Sequence, residues 1–209
     1  MTSIGLNSRR IGEPAGKSLY GKTVGIVGLG DIGRALERRL RPFAVRVIGI
    51  MQSDPEKTRR ELHLDWVGTP ADLPSLLAQS DFVILCAPLT PATRGLMNRE
   101  TFACMQWGAC LINLARGGLV DAPALLEALA SGRIGGAGLD VFWEEPPDPH
   151  DPIFSYNVIA TPHIGGSTDV SLAGIGEIMA ENIHRLASGQ ALLYVRNAVA
   201  PVRPLTGTE

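Results

Sequence analysis

The sequence predicts a parallel, doubly wound α/β sheet, and three observations predict it. Short apolar runs rich in β-branched residues alternate with helical stretches along most of the 209 residues. One run, Lys22 to Leu40, reads as a buried strand, a glycine turn and an amphipathic helix in immediate succession. The Gly- and Pro-rich loops that carry polar side chains follow strands, at the edge where open α/β sheets bind ligands.

The Lys22–Leu40 stretch organises the rest. Val24, Ile26 and Val27 suit a central parallel strand, buried on both faces. Gly28, Gly30 and Gly33 then spell G-x-G-x-x-G. The first glycine allows a tight turn, the second lets a pyrophosphate approach the backbone, and the third lets helix and strand pack closely. Ile32, Leu36 and Leu40 repeat at helical spacing. A lone glycine motif is weak, but between a strand and an amphipathic helix it marks a dinucleotide site of the Rossmann type. The N–H groups and positive dipole end of that helix face the phosphates. Asp31 is the odd residue, a carboxylate close to where phosphates belong.

Before this unit, residues 1–20 read as a loose lead-in broken by Gly5, Gly12, Pro14 and Gly16. The dinucleotide-binding domain is expected over 21–166, and a C-terminal helix with its tail over 167–209. The second strand runs from Val45 to Ile50. Where it ends, an acid commonly binds the ribose hydroxyls of NAD; here Met51 stands there, followed by Gln52, Ser53 and Asp54. Asp54 substitutes only if the strand end is bulged. NAD is the expected cofactor, and the missing acid leaves NADP open. Lys57, Arg59 and Arg60 either meet a 2′-phosphate or form a solvated helix face.

Further strands are expected at Trp66–Val67, Phe82–Ala87, Cys110–Asn113, Ala137–Val141 and Val158–Ala160. The helices between them are expected from a Thr69 cap to Gln79, at Asn98–Met105, and at Asp121–Ser131 with Gly132 past its end. A last helix, Thr168 to Ala187, carries Ile175, Ile178, Met179, Ile183 and Leu186 as one stripe that should pack on something. The tail from Val195 to Glu209 should fray.

Composition excludes several classes. Hydrophobic residues make up 45% and charged ones 19%, which argues for a folded core and against disorder. A net charge of −2 supplies no basic field for nucleic acid or an anionic membrane. There is no apolar leader and no run of membrane-spanning length. Cys86, Cys104 and Cys110 have no metal-binding spacing, so free buried thiols in a reducing, cytoplasmic setting are expected, with no metal.

Four residues on strand-end loops bear chemistry: Arg116, Asp140, Glu145 and His163. A single Arg is usually a surface charge, and a single His beside Pro a turn residue. Together on one sheet edge they form a set. Arg116 can hold a carboxylate with its planar fork, His163 can exchange a hydroxyl proton, and Glu145 can fix the His163 tautomer. This is equipment for hydride exchange between a 2-hydroxy acid and a nicotinamide.

The segments GKTVGIVGLGDIG, PLTPATRGLMN, INLARGGLVDAPALLEAL, GAGLDVFWEEP and TPHIGG occur in this order. With them the chain resembles the D-isomer-specific 2-hydroxyacid dehydrogenases, from about Leu19 to Asn197. The resemblance implies Arg116, Glu145 and His163 as the catalytic Arg, Glu and His. It implies cofactor contacts from Gly28, Gly30, Asp31, Ile32, Gly33, Pro88, Leu114, Ala115, Arg116, Asp140, His163, Gly165 and Gly166. It also implies a 2-hydroxy or 2-oxo acid substrate and a homodimer formed through the dinucleotide-binding domain. In that family the dinucleotide domain is inserted into a substrate domain, and this sequence begins just before the insertion. The last helix then belongs to an incomplete second domain, with an exposed apolar stripe. The alternative expectation is a non-catalytic NAD(H)-binding module, like the related corepressors, or a gene fragment lacking the substrate lobe.

Overall fold

The computed structural model describes residues 18–195. The lead-in up to residue 17 and the tail from residue 196 lie outside the described residues. Two compact units divide between His163 and Ile164.

The first unit is built on a seven-stranded parallel sheet. Its strands are β1 (Thr23–Val27), β2 (Arg46–Ile50), β3 (Trp66–Gly68), β4 (Phe82–Leu85), β5 (Ala109–Asn113), β6 (Ile134–Leu139) and β7 (Val158–Ala160). They lie in the order β3-β2-β1-β4-β5-β6-β7. The order reverses between β1 and β4, which opens a crevice at their C-terminal ends. The helices are α1 (Asp31–Leu40), α2 (Pro55–Glu61), α3 (Leu73–Gln79), α4 (Arg99–Cys104) and α5 (Ala122–Ala130).

Two apolar clusters sandwich the sheet. Leu76 and Leu77 of α3, Phe102 of α4 and Leu125 of α5 pack with Val83, Leu85 and Leu111. Leu40 and Leu62 pack with Val24, Ile26 and Ile84. Along β4, Val83 and Leu85 face one cluster and Ile84 the other, as the period of two requires. Burying each such side chain contributes about 1.5–3 kcal/mol relative to leaving it in water.

Sequence and structure differ at β6. The expected strand was Ala137–Val141; the observed one starts at Ile134 and ends at Leu139. Gly135 and Gly136 lie outside the expected strand, yet each is required by close packing. A Cβ on Gly135 would lie 2.5 Å from the Gly108 carbonyl oxygen, and one on Gly136 would lie 2.5 Å from Asn157 Nδ2. The Thr69 capping box opens a short 3₁₀ turn, Pro70–Asp72, before α3 begins. Cys86, Cys104 and Cys110 are in no disulfide among the described residues and are only half-buried.

The second unit holds α6 (Asp169–Ala187), with a capping box between Thr168 and Ser171. No residue of α6 is buried. Val170, Leu172, Ile175, Met179, Ile183 and Leu186 are all exposed. Within the unit, Asn182 folds the following chain back: its Oδ1 accepts from the Leu193 amide at 2.7 Å.

The turn after β1 makes a test of the fold. A Cβ on Gly33 would lie 2.1 Å from the Gly28 carbonyl oxygen, whereas one on Gly30 would meet nothing within 4 Å. Gly33→Ala should therefore cost about 1–3 kcal/mol in urea unfolding, and Gly30→Ala less than about 0.5 kcal/mol. Equal losses at the two positions would contradict this packing.

Candidate active site

The three motif glycines do three different things. Gly28 has φ +104°, and a Cβ there would lie 2.7 Å from the Ala87 amide nitrogen. It therefore seats the turn against the end of β4. Gly33 packs α1 onto that turn. Gly30 is the N-cap of the ten-residue α1, with no side-chain capping bond and open space where its Cβ would be. Backbone amides at a helix N-terminus, with nothing built over them, fit the pyrophosphate of a dinucleotide. Asp31 occupies the first turn of α1, and Ile32 beside it is exposed.

At the end of β2, Met51 is half-buried and its amide donates to the Gly68 carbonyl at 3.1 Å. The β1–β2 register is unbroken to Ile50. No bulge interrupts the pairing of β2. Asp54 caps α2, accepting from the Lys57 amide at 3.0 Å. Arg59 is taken by Glu56 at 2.7 and 3.0 Å, and Lys57 lies 3.9 Å from Glu61. Carboxylates of α2 thus pair with Lys57 and Arg59, while Arg60 donates to the Glu56 backbone carbonyl at 3.3 Å.

The loops after β5, β6 and β7 are pinned together. Asn113, buried at the end of β5, accepts from the Ala115 amide at 3.1 Å and donates to the Arg116 carbonyl at 2.9 Å. This Asx turn sets the Arg116 backbone. A Cβ on Gly117 would lie 2.0 Å from the Phe142 carbonyl oxygen, so the two loops nest. Asp140 is buried and accepts from the Thr161 hydroxyl at 2.5 Å. The Arg116 guanidinium donates to the Ala115 carbonyl at 2.6 Å.

Glu145 and His163 meet in this frame. Glu145 Oε1 accepts from the Phe142 amide at 3.1 Å, and its Oε2 lies 2.7 Å from His163 Nδ1. His163 sits in the left-handed region at φ +54°, its amide donating to the Thr161 carbonyl at 2.9 Å. The hydrogen bond from His163 holds the Glu145 carboxyl below the usual carboxylate range, helped by the Phe142 amide and by the charge of Arg116. An ionised carboxylate only accepts, so Nδ1 carries the hydrogen and Nε2 is left as the acceptor nitrogen. Cys86 offers no nucleophile: burial pushes its thiol up to about 11.

Arg116, Glu145 and His163 share one cleft of about 570 Å³, walled by Leu89, Phe142 and Trp143. The Trp143 indole is fixed on the Val120 carbonyl at 2.6 Å. Asp140 is not among the residues lining this cleft. Pro88, Leu114 and Ala115 lie just past β4 and β5, the first two exposed and Ala115 buried. Gly165 and Gly166 open the second unit, where the Gly166 carbonyl accepts from the Thr168 amide at 3.2 Å. Two residues escaped the sequence reading. Asn113 was legible as an Asx-turn residue at a strand end; Arg94, which also lines the cleft, carries no local signal.

A Rossmann sheet with an open helix N-terminus at its switch point, beside a carboxylate–imidazole pair and a guanidinium, defines a dinucleotide-binding domain of oxidoreductase type. The chain belongs to the family described as D-isomer specific 2-hydroxyacid dehydrogenase, NAD binding domain, whose model matches residues 6–165. It is 41% identical to a D-3-phosphoglycerate dehydrogenase of Methanocaldococcus jannaschii over 87% of this chain and 34% of that protein. It is 42% identical to a glyoxylate reductase of Pyrococcus horikoshii, over 84% of this chain and 51% of that one. The chain thus spans a third to a half of these curated relatives. Among solved structures it superposes with a TM-score of 0.73 and 38% identity on a D-isomer specific 2-hydroxyacid dehydrogenase from Xanthobacter autotrophicus Py2 in complex with NADPH and MES. That match covers 82% of this chain and 69% of the other.

The Glu145–His163 bond has a defined pH dependence. A carboxyl whose folded pKa is depressed contributes stability above its unfolded pKa and loses it as pH falls through the folded value. The bond should therefore survive below about pH 4.3, the ordinary glutamate value. The Nδ1–H resonance of His163, followed by NMR from pH 7 downward, checks this. Its loss above that pH would contradict the pairing.

Proposed function

We propose that this chain is the dinucleotide-binding, catalytic portion of an NAD(P)-dependent oxidoreductase acting on the CH–OH group of a D-2-hydroxy acid. The observation that carries the reading is the 2.7 Å Glu145–His163 pair in one cleft with Arg116. Gly28, Gly30, Gly33 and the first turn of α1 would hold the dinucleotide. A bound nicotinamide supplies the hydride acceptor for the substrate carbon. Arg116 holds the substrate carboxylate with its fork and draws electron density from the adjacent carbonyl. His163 takes the hydroxyl proton at Nε2, and Glu145 stabilises the imidazolium that results. In the reverse direction His163 returns that proton to the 2-oxo acid.

The family resemblance and the free thiols support two further points. The protein works in the cytoplasm, and it pairs as a homodimer through its dinucleotide-binding domain. Among the described residues no helix is long and apolar enough to cross a membrane.

Arg116 and His163 are exposed in the described cleft, and wet charges stabilise a transition state weakly. The 209-residue chain should therefore reduce small 2-oxo acids slowly with NADH or NADPH. His163→Ala should lower kcat/KM by about 10²–10⁴, and Arg116→Lys should not restore what Arg116→Ala loses. Turnover that persists in His163→Ala would sink the assignment.

A further inference from the structure

The mechanism above leaves one guanidinium of the cleft unused. Arg94 lines it together with Arg116, Glu145 and His163. The Arg94 side chain has no hydrogen-bond or ion-pair partner among the described residues. It rests over Gly118, where a Cβ would lie 3.4 Å from Arg94 Nη1 and 3.1 Å from Leu89 Cδ2.

The backbone presenting Arg94 is firmly held. Thr93 Oγ1 donates to the Pro88 carbonyl at 2.7 Å and accepts from the Thr90 amide at 2.8 Å. The Arg94 amide donates to the Thr90 carbonyl at 3.0 Å. The Gly95 amide donates to Gly118 and the Met97 amide to Leu119, both at 2.9 Å. These bonds stitch the loop carrying Arg94 to the loop carrying Arg116.

Two permanent positive charges thus share a cleft whose lining carboxylate, Glu145, is engaged by His163. Such a site attracts anions and suits one with negative charge at both ends. We propose that Arg94 is a specificity-determining residue that binds a second anionic group, carboxylate or phosphate, on the acid whose first carboxylate Arg116 holds. The proposal rests on the function inferred above and narrows its substrate class to hydroxy acids bearing a second anionic group.

Calorimetric titration of the chain with saturating NAD tests it, using D-lactate, D-malate and 3-phospho-D-glycerate. D-malate and 3-phospho-D-glycerate, each with a second anionic group, should bind about tenfold more tightly than D-lactate, a hydrogen-bonded charge discounted for exposure. Whichever of the two shows the larger preference names the group, carboxylate or phosphate. That preference should vanish in Arg94→Ala and be partly restored in Arg94→Lys. A natural chain with no preference, or a preference kept in Arg94→Ala, overturns the inference. If Arg116→Ala still abolishes binding of all three acids, the functional reading stands without it. If Arg116→Ala changes nothing, both fall.

Discussion

One steric constraint sets the ligand edge of this molecule: the Gly28 carbonyl oxygen occupies the space that a Cβ on residue 33 would need. That contact brings the first turn of α1 down onto the end of β1. The opposite side of the Gly28 turn is pressed against the backbone of Cys86 and Ala87 at the end of β4. Between these approaches Gly30 is left bare at the helix N-terminus. The surface proposed to take the phosphates is thus defined less by what it contains than by two contacts tight enough to keep side chains away from it.

The chemistry on the same edge depends on a similar economy. Asn113 uses both ends of its amide to shape the turn that presents Arg116. Asp140 ties the end of β6 to Thr161, just past β7. Glu145 divides its oxygens between a backbone amide and His163. Each bond is of ordinary strength, but together they fix three loops from three strands. In the proposed reaction, such positioning would supply a large part of the rate.

Much of this was legible in the sequence, and the reason is physical. G-x-G-x-x-G between a β-branched run and an amphipathic helix leaves few folds open, and strands alternating with helices force a parallel sheet. The Asp54, Thr69, Asn98, Asp121 and Thr168 caps are local hydrogen bonds, so those that were read from sequence came from nearest neighbours. What was misread is non-local. The start of β6 at Ile134 depends on Gly108 and Asn157, which press against Gly135 and Gly136. Arg94 is one arginine in a loop until the fold places it beside Arg116.

The central claim is that the chain is built around a dinucleotide seated on the bare Gly30 backbone. Fluorescence titration of Gly30→Val with NADH tests it most directly, because this position has room for a side chain without disturbing the fold. The account predicts near-complete loss of NADH binding in a variant that unfolds at the same urea concentration as the natural chain. A Gly30→Val chain that folds normally and binds NADH with unchanged affinity would contradict it.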